Sequence, residues 1–396
     1  MHHAAEILLT LFVIFVAAQV GAEISQRLKL PGVVGEIVAG CVIGPSALGW
    51  IHAEQIVAGT PLDVLAEIGV VLLLFSVGLE TRLADLKEVG KSAFLVGVLG
   101  VVIPFACGAL WAHGNGFEWT KSLFVAAAFV ATSAGITARV LQELGVLSRI
   151  ESRVILGAAV IDDILAMLLL GVVTSLQDGG GIQIGSLLFV LAQAIGFIAI
   201  IGWVGTRVMR RRAHWLDRPI NPHSPLTIAL AICLGLAYLS TQFGLAAIIG
   251  AFLAGMIASE MHQREELEHQ MQPLLALLTP FFFVITGAKI DLSVFASGDA
   301  LWMLFVVTVI AIISKFVGGL LGALSLGRLG ATIVGVGMVP RGEVGVVIAS
   351  LGLAAGVFSN QTYAVIVAMS LLTSIVTPPV LSMLLKRDHG ANAPTP

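Results

Sequence analysis

Charged residues are scarce in this sequence. Asp, Glu, Lys and Arg make up 11% of its 396 residues, whereas hydrophobic residues make up 58% and the mean hydropathy is +1.01. A soluble domain of this length could not cover its surface with so few polar side chains. The composition therefore excludes a soluble globular protein and predicts an all-α polytopic membrane protein. The formal net charge of −3 indicates no particular partner, and no nucleic acid is expected.

Cysteine is also scarce, and no targeting signal is evident. Cys41, Cys107 and Cys233 lie in separate apolar runs without CxxC spacing, which argues against a disulfide framework or a structural metal site. No cofactor is expected. The first residues, MHHAAE, lack the basic region of a signal peptide, so the first apolar run is expected to be a retained helix. No appended soluble domain is expected after the last apolar run.

Apolar runs separated by polar or turn-rich breaks predict thirteen transmembrane helices. They lie near residues 5–25, 33–50, 62–79, 93–113, 121–140, 153–176, 183–206, 225–242, 244–259, 273–290, 300–325, 331–355 and 361–385. The odd-numbered connections and the C-terminus hold seventeen Lys and Arg residues, whereas the even-numbered connections hold two. The positive-inside rule then places the odd connections and the C-terminus in the cytoplasm and the N-terminus outside.

Thirteen spans divide into six, one and six, so the two halves would insert with opposite orientation, as in inverted-repeat transporters. The fifth span of the first half carries the polar and glycine residues of 132–137, and that of the second half carries several glycines around Pro340. Proline removes a backbone donor, and glycine lowers the cost of unwinding a helix. Two interrupted helices at matching places predict an ion site near the bilayer midplane.

Asp162 and Asp163 are adjacent carboxylates inside the apolar run 155–173. Acids at this depth face the protein interior or a water-filled cavity and are usually functional. Neighbours on a helix point about 100° apart, so the two side chains should address different partners. Asp163 is the first candidate for binding a hard cation such as sodium, with Asp162 as its partner and with hydroxyl and carbonyl oxygens expected from an unwound stretch Thr132–Thr137. The alternative is that both acids are structural.

Lys315 is the single charged residue in the run VVTVIAIISKFVGGLLGAL. A buried ammonium group must be neutral or paired, so an ion pair with one of the two aspartates is predicted. That pair leaves one net negative charge for a monovalent cation; a purely structural bridge is the alternative. The spacing of Gly318 and Gly322 in the same run predicts close helix packing.

Arg341 and Glu343 flank the break at Pro340, where their expected role is to compensate the charges of broken helix ends. Direct ligation of the ion is the alternative. Glu36 and Glu67 lie within predicted spans and are given no role in the site. The basic stretch 207–212 is interpreted as an orientation signal whose expected contacts are anionic membrane lipids.

Four segments carry a resemblance to a known family. They are PGVVGEIVAGCVIGPSALG, LLLFSVGLETRLADL, FVATSAGITARVLQELGVLSRIESRVILGAAVIDD and GVGMVPRGEVGVVIASLGLAAG. The chain resembles the cation:proton antiporter-2 superfamily, in particular the NapA-type bacterial sodium/proton antiporters, which have an NhaA-like fold. The resemblance covers essentially the whole chain. It implies a homodimer whose dimerisation domain stays fixed while a core domain, built around two crossed unwound helices, moves like an elevator.

The resemblance also implies roles for single residues. Asp162 and Asp163 match the paired aspartates of the family, of which the second binds the cation and the proton. Lys315 matches the lysine that bridges to the first aspartate in electrogenic members. Thr132 and Ser133 match the polar break of the first crossed helix, and Glu343 matches the acid of the second.

The domain boundaries follow the same resemblance. Residues 1–92 and 221–298 are expected to form the dimerisation domain, residues 93–182 and 299–396 the core domain, and residues 183–220 a linker helix with a basic loop. The expected location is the bacterial inner membrane.

The predicted function is secondary active exchange of sodium or lithium for protons, with electrogenic stoichiometry, rather than enzymatic catalysis. Exchange of potassium for protons and electroneutral exchange remain alternatives, because no feature of the sequence fixes ion size or stoichiometry. A gated cation channel or a membrane sensor on the same scaffold is the alternative from a different class of protein.

Overall fold

The computed structural model describes residues 2–57, 59–81, 83–177, 184–212, 224–261, 263–290, 298–354 and 356–391. Within these ranges the chain forms α-helices and short 3-10 turns, with no β-strand. The helices are α1 (His2–Arg27), α2 (Gly32–Ile43), α3 (Pro61–Leu79), α4 (Leu83–Gly114), α5 (Trp119–Ala128), α6 (Ala134–Glu143), α7 (Ile150–Gln177), α8 (Ile184–Arg212), α9 (Ser224–Gln242), α10 (Ala247–Ala258), α11 (Arg264–Ala288), α12 (Gly298–Gly322), α13 (Gly327–Gly337), α14 (Glu343–Ala354) and α15 (Asn360–Ala391).

Nine helical segments in the described residues are long and apolar enough to cross a membrane. Shorter apolar helices include α2 and α10, and a further apolar segment covers α13. The fifth predicted span is divided into α5 and α6, and the twelfth is divided into α13 and α14. The chain is therefore a multi-pass membrane protein whose described residues are helical and include two interrupted helices.

The helices pack into two groups. Helices α1, α2, α3, α9, α10 and α11 pack on one another and form the first bundle. Helices α4, α5, α7, α12, α13, α14 and α15 form the second bundle, while α8 contacts α7 and α10. The half-helix α6 lies between the two bundles, because it contacts α2 and α3 on one side and α7 and α15 on the other.

Small residues allow close helix contacts in both bundles. A Cβ atom on Gly35 of α2 would lie 1.9 Å from the carbonyl oxygen of Gly21 on α1. On α12, a Cβ atom on Gly318 would lie 2.6 Å from the carbonyl oxygen of Leu99, and Gly322 similarly abuts Val96. The close packing predicted from the spacing of Gly318 and Gly322 is thus confirmed, and it brings α12 against α4.

Candidate ion-binding site

The two helix breaks cross each other inside the second bundle. The backbone N–H of Ser133 donates to the carbonyl oxygen of Pro340 at 2.8 Å, and Thr137 Oγ1 donates to the carbonyl oxygen of Gly337 at 2.8 Å. A Cβ atom on Gly342 would lie 2.6 Å from Ser133 Cβ, so the crossing requires glycine at that position. Hydrogen bonds between the two breaks thus supply partners for unwound backbone groups, which lipid could not provide in the membrane interior.

Asp162 uses both carboxylate oxygens to join three elements. Its Oδ1 atom lies 2.5 Å from Lys315 Nζ on α12, and its Oδ2 atom accepts the backbone N–H of Thr132 at 3.1 Å. The side chains of Asp162 and Lys315 are both 0% exposed. The lysine therefore pairs with the first of the two adjacent aspartates, and that aspartate is anchored to the first break.

The carbonyl group of Val130, just after α5, accepts hydrogen bonds from two cationic side chains. Lys315 Nζ donates to it at 2.7 Å and Arg341 Nη1 donates at 3.2 Å. Arg341 is fully buried, and its Nη2 atom donates to the carbonyl oxygen of Ala311 at 3.0 Å. Carbonyl groups at a helix C-terminus lack intrahelical partners and carry partial negative charge. The two cations compensate the carbonyl end of the first half-helix.

Thr132 and Ser133 place two buried hydroxyl groups in the first break. Their side chains are 4% and 0% exposed, and neither Oγ atom has a hydrogen-bond partner in the described part of the protein. Hydroxyl oxygens are suitable ligands for a hard monovalent cation, and an unbonded buried hydroxyl is otherwise costly. These two oxygens are thus available to a cation that reaches the break.

Asp163 lies at the boundary between the two bundles. Its side chain is buried, and it borders a cavity of about 20 Å³ whose other wall comes from α3 and α10 of the first bundle. Ala134, which directly follows the two free hydroxyl groups, borders the same cavity. The remaining lining is apolar and consists of Leu74, Leu156, Ala159, Val160, Ile248, Ile249 and Phe252. Asp163 therefore faces the first bundle, whereas Asp162 faces α12 of the second bundle.

A larger cavity of about 220 Å³ lies between the bundles near the second break. Arg341 and Gly342 of the second break border this cavity, as do Asp63 and Glu67 of α3 and Lys289, which directly follows α11. Lys289 Nζ lies 3.1 Å from Asp63 Oδ1. The sequence predicted no role in the site for Glu67. Its position beside this cavity depends on how α3 packs against α11 and the second break, which the sequence does not show.

The remaining predicted residues are placed as follows. Pro340 lies in the second break, directly before Arg341, and Glu343 begins α14. The side chain of Glu343 lies outside the part of the chain that the structure describes, so its predicted role remains a prediction. Sequence reasoning missed the Val130 carbonyl group, since a backbone acceptor has no signature in the identity of its side chain.

The chain matches the family model described as "Sodium/hydrogen exchanger, transmembrane" over residues 10–387. It is 36% identical to the high-affinity Na⁺/H⁺ antiporter NhaS3 of Synechocystis, over 99% of this chain and 93% of that protein. It is 34% identical to the Na⁺/H⁺–K⁺ antiporter GerN of Bacillus cereus, over 93% of each chain. The match with the family therefore covers nearly the whole sequence.

A solved structure shares the fold. The sodium proton antiporter MjNhaP1 from Methanocaldococcus jannaschii aligns with a TM-score of 0.67, at 18% identity, over 96% of this chain and 99% of that chain. At this level of identity the similarity shows a common fold alone.

Proposed function

We propose that this chain, which belongs to the transmembrane sodium/hydrogen exchanger family and is a cation/proton antiporter, exchanges sodium or lithium for protons. The observation that carries this proposal is the first helix break, where two buried hydroxyl groups without partners adjoin the paired aspartates. Carboxylate and hydroxyl oxygens suit a hard alkali cation rather than a soft metal ion, a preference that potassium shares with sodium and lithium. The sodium/proton antiporters among the relatives support the choice of sodium.

Asp163 binds either the cation or a proton in this proposal. When the cation occupies the site, its charge neutralises the ionised carboxylate; when the cation is absent, a proton does so. Either loaded form reduces the charge that must cross the apolar barrier, whereas the empty ionised form does not. Exchange follows because sodium and protons compete for one carboxylate.

The Asp162–Lys315 pair supports electrogenic exchange. If the pair opens when the cation binds, Lys315 can release a second proton, so that two protons move for each cation. Lys315→Gln should then retain exchange and lose the transport current. Electroneutral exchange, in which the pair stays closed throughout the cycle, is the alternative.

We further propose thirteen transmembrane spans in the bacterial inner membrane, with the N-terminus outside and the C-terminus in the cytoplasm. On this topology each interrupted helix pair counts as one span, and α2 and α10 are spans as well. The first bundle corresponds to the proposed dimerisation domain (1–92 and 221–298) of a homodimer, and residues 183–220 to its linker. The second bundle corresponds to the proposed core domain (93–182 and 299–396), which moves as an elevator while Asp163 faces the boundary.

Transport assays in proteoliposomes test the proposal. Outward gradients of sodium, lithium or potassium should be imposed in turn, with internal pH and membrane potential recorded by dyes. Sodium and lithium should drive proton movement, and Asp163→Asn should abolish it. Asp299→Asn, which neutralises an exposed aspartate at the start of α12, serves as the matched control.

Potassium is the second candidate cation, because K⁺/H⁺ antiporters also occur among the relatives, for example KhtU of Bacillus subtilis at 27% identity. Proton movement driven by potassium alone would favour it over sodium. Unitary currents in planar bilayers would instead indicate a gated channel and contradict the antiport mechanism.

A further inference from the structure

The half-helix α6 begins at the first break and ends near the C-terminal end of α3. The 220 Å³ cavity lies at the N-terminal end of α3. The C-terminal half of α6 carries Arg139, Gln142 and Glu143, and α6 contacts α2 and α3. These residues are remote from the paired aspartates, and the proposed exchange chemistry does not use them. Their contacts nevertheless connect the two bundles.

Gln142 connects α6 to the end of α3. Its Nε2 atom donates to Ser76 Oγ at 3.1 Å and to Glu80 Oε1 at 3.3 Å. Ser76 is buried, so the contact is shielded from water on at least one side. Two hydrogen bonds from one amide group thus connect α6, which is part of the proposed core domain, to the first bundle.

Glu143 makes the corresponding contact with α2. Its Oε2 atom accepts the backbone N–H of Gly32, the first residue of α2, at 2.9 Å. Its Oε1 atom accepts from Arg139 Nε at 2.9 Å, so the carboxylate is held in place from its own helix. A carboxylate at a helix N-terminus is favoured because the terminal N–H groups lack partners and carry partial positive charge. The buried Glu36 of α2 interacts electrostatically with both Arg139 and Glu143.

The same two bundles are separated at the other end of α3. Asp63 and Glu67, in the first two turns of α3, border the 220 Å³ cavity, whereas Glu80 directly follows the last turn. Seventeen residues of helix correspond to about 25 Å, so the contacts of Gln142 and this cavity lie at opposite ends of the bundle boundary. The hydrogen bonds of Gln142 and Glu143 therefore lie at one end of the boundary between the bundles, and the 220 Å³ cavity lies at the other end.

We infer that Gln142 and Glu143 form a latch that holds the cytoplasmic ends of the two bundles together and so sets the balance between the outward-facing and inward-facing states. This inference rests on the proposed function, since it requires the bundles to move relative to each other. Opening toward the cytoplasm must break the three hydrogen bonds that cross at this end. A variant with a weaker latch should therefore populate the inward-facing state more.

The sodium KM measured from each side of the membrane tests the latch. A shift toward the inward-facing state lowers the apparent KM on the cytoplasmic side and raises it on the external side. For Gln142→Leu we expect the ratio of the external KM to the cytoplasmic KM to rise about threefold to tenfold, since a net hydrogen bond contributes about 1 kcal/mol. The measurements use right-side-out and everted vesicles containing the full chain.

Gln270 offers a matched control. Its Nε2 atom also donates to a glutamate, but the acceptor is Glu266 on the same helix. Gln270→Leu should leave both KM values unchanged. Gln142→Asn, which is too short to reach α3, is a second variant in case Gln142→Leu does not fold. Glu143→Leu removes the acceptor of the Gly32 N–H and so tests that contact.

The possible outcomes are distinct. Opposite KM changes in the Gln142 and Glu143 variants support the latch. Parallel changes on both sides, or a loss of maximal rate with both KM values intact, would overturn the latch while leaving sodium/proton exchange in place. If the wild-type vesicles show no sodium-driven proton movement, the proposed function itself is wrong, and the latch falls with it.

Discussion

Lys315 and Asp162 form an ion pair that no water reaches, with 2.5 Å between Nζ and Oδ1 and both side chains 0% exposed. Each partner makes a second hydrogen bond to the first helix break: Asp162 accepts from the N–H of Thr132, and Lys315 donates to the carbonyl of Val130. The pair therefore fixes the break against α7 and α12. Its geometry explains how two charges are tolerated at this depth.

Removal of one partner should cost more than removal of both. Lys315→Gln leaves the buried Asp162 without its counter-charge, so we expect a loss of about 3–5 kcal/mol in the free energy of unfolding. The double variant Asp162→Asn with Lys315→Gln removes both charges of this ion pair and should recover much of that loss. Thermal unfolding in detergent measures both. If the double variant is as unstable as the sum of the two single variants, the coupling between them is absent.

Competition at Asp163 predicts the pH dependence of transport. A proton and a sodium ion that compete for one carboxylate raise the apparent sodium KM by about tenfold for each unit of pH decrease, once the proton form dominates. The maximal rate should change much less than the KM. Initial rates in proteoliposomes at several sodium concentrations and pH values test this. A maximal rate that falls with a constant KM would contradict competition at a single site.

Two threonines near the first break should behave differently. Thr132 Oγ1 has no hydrogen-bond partner in the described residues, whereas Thr137 Oγ1 donates to the carbonyl oxygen of Gly337. We expect Thr132→Val to raise the sodium KM, by about fivefold to 150-fold if the hydroxyl is worth about 1–3 kcal/mol as a cation ligand. Thr137→Val should lower the unfolding temperature instead. An unchanged sodium KM in Thr132→Val would remove this hydroxyl from the set of ligands.

Much of the candidate site could be predicted from the sequence, because charge inside an apolar helix is conspicuous. Asp162, Asp163 and Lys315 each interrupt a long apolar run, and Pro340 with its neighbouring glycines marks a break in the second half. Those signals depend on one segment at a time. Which aspartate faces the lysine depends on the relative rotation of α7 and α12, a property that the composition of either helix leaves open.

Features that depend on long-range packing could not be predicted. Every residue has a backbone carbonyl group, so the residue type at position 130 does not indicate an acceptor. The carbonyl group of Val130 is important because Lys315 and Arg341 both donate to it. Gln142 meets Ser76 across 66 residues of sequence, and Glu143 meets Gly32 across 111. Such contacts leave no periodic pattern, so only the packed structure reveals them.

Glu80 gives the latch region a measurable pH dependence of stability. The residue follows the last turn of α3, and partial burial raises the pKa of its carboxyl group above the ordinary value of 4.5. The hydrogen bond from Gln142 lowers this pKa, the negative charge of Glu268 raises it, and the positive charge of Arg264 lowers it. The net result is that the folded protein binds this proton more tightly than the unfolded chain does.

Stability should therefore decrease as the pH rises from about 4.5 through the raised pKa, and level off above it, because the unfolded chain releases the proton first. Glu80→Gln should remove this decrease, whereas Glu265→Gln, at an exposed position of α11, should retain it. Gln142→Leu should extend the decrease to higher pH, since the hydrogen bond that favours the ionised carboxylate is lost. The measurement is the unfolding temperature of the wild type and the three variants across this pH range. If the unfolding temperature changes with pH in the same way for the wild type and for Glu80→Gln, then Glu80 has the same pKa in the folded and unfolded states, and the prediction is wrong.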